Sequence, residues 1–133
     1  MTVAGREDRG QATVEFALVL PLVAIFVLLL AQAGVVVREQ VLLTHAAREA
    51  ARAASVAEGD RVAAARHSAD RAGPLATDRL SEEVELLDDG TSVRVVLHYR
   101  SVTDLPLIGV LVPDLDLDAR AVMRVESVGQ HGP

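Results

Sequence analysis

Residues Phe16 to Ala31, FALVLPLVAIFVLLLA, carry no polar side chain, and the apolar character continues through Gln32 and Gly34 to Val37. That is about 20 residues, which at ~1.5 Å of helical rise each covers a hydrocarbon core ~30 Å thick. A chain of 133 residues has too little left over to wrap such a segment in a soluble core. The sequence therefore predicts one membrane-spanning helix near the N-terminus. Pro21 falls inside it, which a membrane helix accepts at the cost of a local kink. Arg6 and Arg9 precede the run, and Arg38 follows it closely. Counting basic residues gives a slight preference for a cytoplasmic N-terminus.

A secretory signal peptide is the competing reading. Arg6 and Arg9 would form its basic region, and Ala31-Gln32-Ala33 fits a small-x-small cleavage pattern. Against it, the run is long for a signal sequence and continues past the cut as Gly34-Val35-Val36-Val37.

Composition narrows the function classes. The net charge of −6 is the wrong sign for a general nucleic-acid footprint. Aromatics make up 2% of the chain, which leaves no stacking platform for bases or sugars. With no Cys there are no disulfides and no thiolate metal sites.

Glu15 stands where the apolar run begins. A carboxylate at the bilayer edge either stays wet at the interface or has a task. Gly10 lies five residues before it, in Gly10-Gln11-Ala12-Thr13-Val14-Glu15-Phe16, with a short charged leader ahead and the long apolar helix behind. This arrangement resembles the prepilin signature of type IV pilin-like proteins. The wider stretch RGQATVEFALVLPLVAIFVLLL, followed by the Ala/Arg block HAAREAARAAS, resembles the TadE-like minor pilins or pseudopilins of tight-adherence (Flp) pilus systems. The resemblance runs from about Arg9 to Ser55.

It implies that a membrane prepilin peptidase cuts after Gly10 and that Gln11 becomes the new N-terminus. Gln11 stands where many type IV pilins carry an aromatic residue or Met. It also implies an assembly role for Glu15, Phe16 and Pro21. A Glu15 carboxylate on one helix could pair with the Gln11 α-ammonium of a neighbour and set axial register, the best-attested use of a buried ion pair. The implied partners are other pilin-like subunits, the prepilin peptidase, the Flp/Tad secretion machinery and membrane lipid.

Beyond the anchor, REQVLLTHAAREAARAASVA favours helix through its Ala, Arg, Glu and Leu content, so the anchor helix is expected to run on past Arg38. His45, Arg48, Glu49 and Arg52 fall on one face. Ala46, Ala47, Ala50, Ala51 and Ala54 form a small-residue face, suited to close packing on the chain's own domain or on a neighbouring subunit. Glu58-Gly59-Asp60 predicts a break, with Asp60 capping a second helix over Arg61 to Ala72 that Gly73-Pro74 stops.

The last third alternates. Val93, Val95, Leu97 and Tyr99 interleave with Arg94, Val96, His98 and Arg100. Asp89-Gly90 ahead of them signals a hairpin with the strand ending at Leu86 and Leu87. A third strand is expected over Leu117 to Ser127. Leu105 to Pro113 is too short to span a bilayer and is expected to cap the core or touch the membrane surface. The predicted class is α+β: a long N-terminal transmembrane helix extending into a small domain with a three-stranded antiparallel sheet. The expected organisation is a cytoplasmic leader over 1–10, a transmembrane helix over 11–37, an extracytoplasmic helical segment over 38–72, a β domain over 73–128 and a flexible tail over 129–133.

Catalytic and metal chemistry find little support. Asp114, Asp116 and Asp118 begin like a calcium loop, but Ala119 and Val125 stand where that loop needs Gly and Glu, so a solvated acidic face is expected. His45, His67, His98 and His131 have no zinc spacing, and Glu82, Glu83 and Glu85 read as a strand-edge charge cluster. The expectation is a structural, non-enzymatic protein without cofactors or a nucleic-acid partner, a minor pilin or pseudopilin. The alternatives are an unprocessed signal-anchored envelope protein whose external domain binds a partner, and a secreted domain released after Ala33.

Overall fold

The structure, a computed structural model, describes residues 7–71, 73–104, 109 and 112–126. Helix α1 runs without interruption over Glu7–Val56 and contains Pro21. The proline lacks the N–H that would bond the carbonyl one turn earlier, and the helix continues through it. Helix α2 covers Arg61–Arg71. Strands β1, Leu80–Leu87, β2, Ser92–Ser101, and β3, Leu115–Arg124, form one antiparallel sheet in the order β1-β2-β3. The fold is α+β, as the patterning predicts.

The chain divides into two compact units, Met1–Val35 with Thr103–Pro113 and Val36–Val102 with Asp114–Pro133. The boundary falls within α1, close to the predicted end of the apolar run at Val37.

The second unit holds the core. Along α1, Leu43, Ala46, Ala47, Ala50, Ala51 and Ala54 are each 1% exposed or less. They pack with Ala65 and Ala69 of α2 and with Val93, Val95, Leu97, Tyr99, Ala119 and Ala121 of the sheet. The small-residue face is therefore buried on the chain's own sheet. On β2 the alternate residues Val93, Val95, Leu97 and Tyr99 supply the sheet's side of this cluster. Hydrogen bonds join α1 to the β3 side: Gln40 Nε2 donates to the Asp118 carbonyl at 2.9 Å, and the Glu126 N–H donates to the Ser55 carbonyl at 3.1 Å.

Asp60 caps α2, its Oδ1 accepting the Ala63 N–H at 3.0 Å. The hairpin between β1 and β2 is wider than a two-residue Asp-Gly turn. Leu87 pairs with Ser92, and the loop between them puts Asp88, Asp89 and Gly90 at φ of 52°, 54° and 88°. Asp tolerates this left-handed region better than most residues, and Gly90 enters it freely. The Asp88 carbonyl closes the loop by accepting from both the Thr91 N–H and its hydroxyl.

Strand β3 starts at Leu115, two residues ahead of its expected start, and ends at Arg124 instead of Ser127. Its early start follows from the ladder: Leu115, Asp116 and Leu117 pair with Ser101, Arg100 and Tyr99. Its end coincides with Val125 and Glu126 turning to other partners, the Thr91 and Ser55 carbonyls. The expectations for Ala72, for most of Leu105 to Pro113, for the leader before Glu7 and for the tail from Ser127 lie outside the described residues.

Candidate assembly helix and the exposed face of the sheet

From Gly10 to Val35, α1 exposes almost all of its surface. Phe16 is 66% exposed, Leu18 74% and Leu22 68%, and the most apolar stretch of the helix buries nothing inside the chain. It is long and apolar enough to cross a membrane. A surface of this kind in water would be a severe liability, so its natural surroundings are lipid or other apolar helices.

The residues singled out from the sequence all sit on this helix. Gln11 and Glu15 are four apart, which puts them on one face about one turn, ~6 Å, from each other. Glu15 and Pro21 are exposed. Glu15 makes no ion pair or hydrogen bond with any described residue. Gly10 is helical, and a Cβ built on it would meet nothing within 4 Å. A helical glycine costs ~1 kcal/mol relative to alanine. Neither steric crowding nor a left-handed backbone explains it here.

The rival cleavage stretch Ala31-Gln32-Ala33 lies inside α1, far from either end. Gln32 is 6% exposed, and its Nε2 donates to Thr103 Oγ1 at 3.2 Å. Sequence reasoning missed this contact, because 71 residues separate the partners.

In the second unit the sheet face away from α1 is exposed and charged. Directly opposed residues pair through their polar side chains along it. Arg94 Nη1 meets Glu85 Oε2 at 2.9 Å, Arg100 Nε meets Asp116 Oδ1 at 3.4 Å, and His98 Nδ1 is hydrogen-bonded to Asp118. The acidic run of β3 is therefore a solvated face, as expected, with Asp116 and Asp118 answered across the strand by β2. Such exposed pairs contribute ~0–1 kcal/mol each.

Glu82, Glu83 and Glu85 do not act as one cluster. Strand alternation sends Glu83 and Glu85 to the outer face and turns Glu82 toward α2, where it meets Arg66 at 3.1 Å. His45, His67 and His98 fall on three different elements, and no group of three or more His, Asp or Glu could hold a metal ion among the described residues.

The comparisons with known proteins bear on the helix. Residues 10–52 match the family model described as TadE-like protein. That is about a third of the chain, from Gly10 through the apolar run and into the Ala/Arg block. No curated protein and no solved structure matches.

Proposed function

We propose, from the TadE-like character of residues 10–52, that this chain is a structural, non-enzymatic minor pilin or pseudopilin of a Flp-type (tight-adherence) pilus or a related secretion machine. The apolar part of α1 crosses the cell membrane once, with the N-terminus cytoplasmic and the sheet domain outside. A prepilin peptidase trims the chain after Gly10. The apolar helix then packs among the helices of other pilin-like subunits of the Flp/Tad machinery.

The observation that carries this reading is Glu15: an exposed carboxylate at the lip of an apolar helix, without a partner among the described residues, one turn from Gln11. In a bundle of such helices an unpaired charge is strongly disfavoured. Once the Gly10–Gln11 bond is cut, the new α-ammonium of an adjacent subunit supplies the counter-charge. Gly10 supports the same reading, since packing in this chain gives no reason for a glycine there and recognition by a processing enzyme does. Phe16 and Pro21 lie on the exposed stretch that neighbours would cover.

The test is the mass of the mature N-terminus. Gln11 is the expected first residue, and Gly34 would sink the proposal. A start at Met1 or Thr2 would favour the second reading, an unprocessed signal-anchored envelope protein whose external domain binds a partner. One observation favours that reading: α1 begins at Glu7, so the Gly10–Gln11 bond lies within helix. As a further check, Glu15→Gln should remove the chain from assembled pilus fractions while leaving it in the membrane.

A further inference from the structure

The strand order β1-β2-β3 leaves β1 and β3 each paired to a strand on one side only. Such edges are templates for another strand. The ladder fixes which backbone groups face outward. The Val125 N–H donates to the Thr91 carbonyl, which continues the β2–β3 register, so the odd-numbered residues of β3 bond to β2. The even-numbered ones turn their N–H and C=O groups away from it. Accordingly the Asp118 carbonyl accepts from Gln40, and the Glu126 N–H donates to Ser55. Between these two caps from α1 lie Arg120, Val122 and Arg124, all exposed. By the same alternation, β1 turns the backbone groups of Glu82, Val84 and Leu86 outward.

The side chains of the two edges match. Glu83 and Arg120 both stand opposite Val96, one on each side of it. Both are exposed, and neither has an ion-pair partner among the described residues. The neighbouring charges are answered within the sheet, Glu85 by Arg94 and Asp116 by Arg100. One row of the outer face therefore ends in an unanswered acid at one edge and an unanswered base at the other.

We propose that this chain adds to itself edge to edge: β3 of one copy takes β1 of a second copy as a parallel neighbour, with Arg120 beside Glu83 of the second copy. The proposal rests on the membrane-anchored reading of α1, and not on cleavage after Gly10.

Strands β1 and β3 are both antiparallel to β2 and so parallel to each other. The sheet can then continue from copy to copy without turning any of them over. Chains anchored in one membrane share orientation and height, which is what this contact needs. At equal height Arg120 meets Glu83, Asp118 meets Ser81 and Val122 meets Glu85 of the second copy, and no like charges face each other. A residue in a parallel ladder bonds to the two residues flanking its neighbour. The outward groups of Arg120 thus meet those of Glu82 and Val84, which also point outward. Sliding the second copy two residues, so that Glu83 met Asp118, would set carboxylates side by side. Antiparallel pairing of β3 with β3 would reverse α1 in one copy, since this part of the helix runs along β3 from Asp118 at Gln40 to Glu126 at Ser55. The parallel contact joins two different edges, so it repeats along an open row.

The chain has no Cys, so introduced cysteines report alone. Adjacent strands bring facing Cβ atoms within reach of a disulfide. In membranes holding the full chain, oxidation of the double variant Glu83→Cys with Arg120→Cys should give a ladder of cross-linked species. A mixture of the two single variants should stop at dimers, and neither alone should cross-link. Arg120→Glu with Glu83 retained should lower assembly, read by glutaraldehyde cross-linking, by about twofold to fivefold, and adding Glu83→Arg should restore it. This charge reversal keeps the proposal open to refutation if a cysteine variant fails to fold.

No ladder together with no effect of Arg120→Glu would overturn the proposal, while a mature N-terminus at Gln11 would leave the pilin reading standing. Cross-linking of Arg120→Cys to Asp118→Cys in place of Glu83→Cys would show β3 pairing with β3 and would overturn it as well.

Discussion

The two halves of α1 share one backbone and differ in what they meet. From Gly10 to Val35 the helix presents Leu, Val, Ile and Phe all round and, Gln32 apart, leaves them unburied. From Val36 to Val56 it divides its surface, with Ala46, Ala47, Ala50, Ala51 and Ala54 covered and His45, Arg48, Glu49 and Arg52 largely outside. Large apolar side chains on every face suit a medium that solvates them without packing. Small ones on a single face suit a fixed solid partner at close range. The difference teaches that burial inside the chain tracks residue size and periodicity, not hydropathy. The more hydrophobic half is the exposed one.

The largest expected effect breaks the first half. Val23→Arg, 48% exposed as valine, should cost about 2.5–3.5 kcal/mol in membrane insertion, read as a loss of alkali-resistant membrane association. Arg48, in the other half of the same helix, already sits at an exposed position without such a cost. Next, Ala47→Leu or Ala50→Leu, both 0% exposed, should overpack the helix against β2 and cost about 1–3 kcal/mol in denaturant unfolding of the solubilised chain. Ala24→Leu in the apolar half should stay within about 0.5 kcal/mol. If both alanine sites behaved alike, the division of the helix would fail.

Two smaller effects sharpen the picture within the second unit. Asp60→Ala removes the acceptor for the Ala63 N–H and should lower stability by about 1 kcal/mol, with α2 amides exchanging faster by hydrogen exchange. Arg100→Gln should change stability by no more than about 0.5 kcal/mol, and by less as salt rises, because its pair with Asp116 is exposed on both sides.

Much of this fold was legible in the sequence because its signals are periodic. The alternation through Val93, Val95, Leu97 and Tyr99 marked the buried face of β2. The run from Phe16 marked the apolar helix, and Gly59-Asp60 marked the break. What escaped lay in pairing between distant segments. Asp116 reads as part of a solvated acidic face, and only Arg100 standing opposite it places it in the ladder, so β3 begins two residues ahead of Leu117. Asp89-Gly90 signalled the hairpin, but Asp88 also adopts a left-handed backbone, which widened the loop.

The Ala face was visible, yet its partner was open between the chain's own sheet and a neighbour. Only the facing strand decided it. At the candidate site, the spacing of Gly10, Gln11 and Glu15 was fully legible. Gln32 looked like part of a cleavage motif, because its real partner lies 71 residues away.

Most of the buried core is alanine, with Leu43, Val93, Val95, Leu97 and Tyr99 as the larger members. Alanine has no side-chain torsion to freeze, whereas each Leu or Ile that becomes fixed gives up ~0.5–1 kcal/mol of rotamer freedom. A domain with little area to bury thus also has little side-chain entropy to surrender on folding. Its order rests on many small contacts rather than on a few large side chains locked in place.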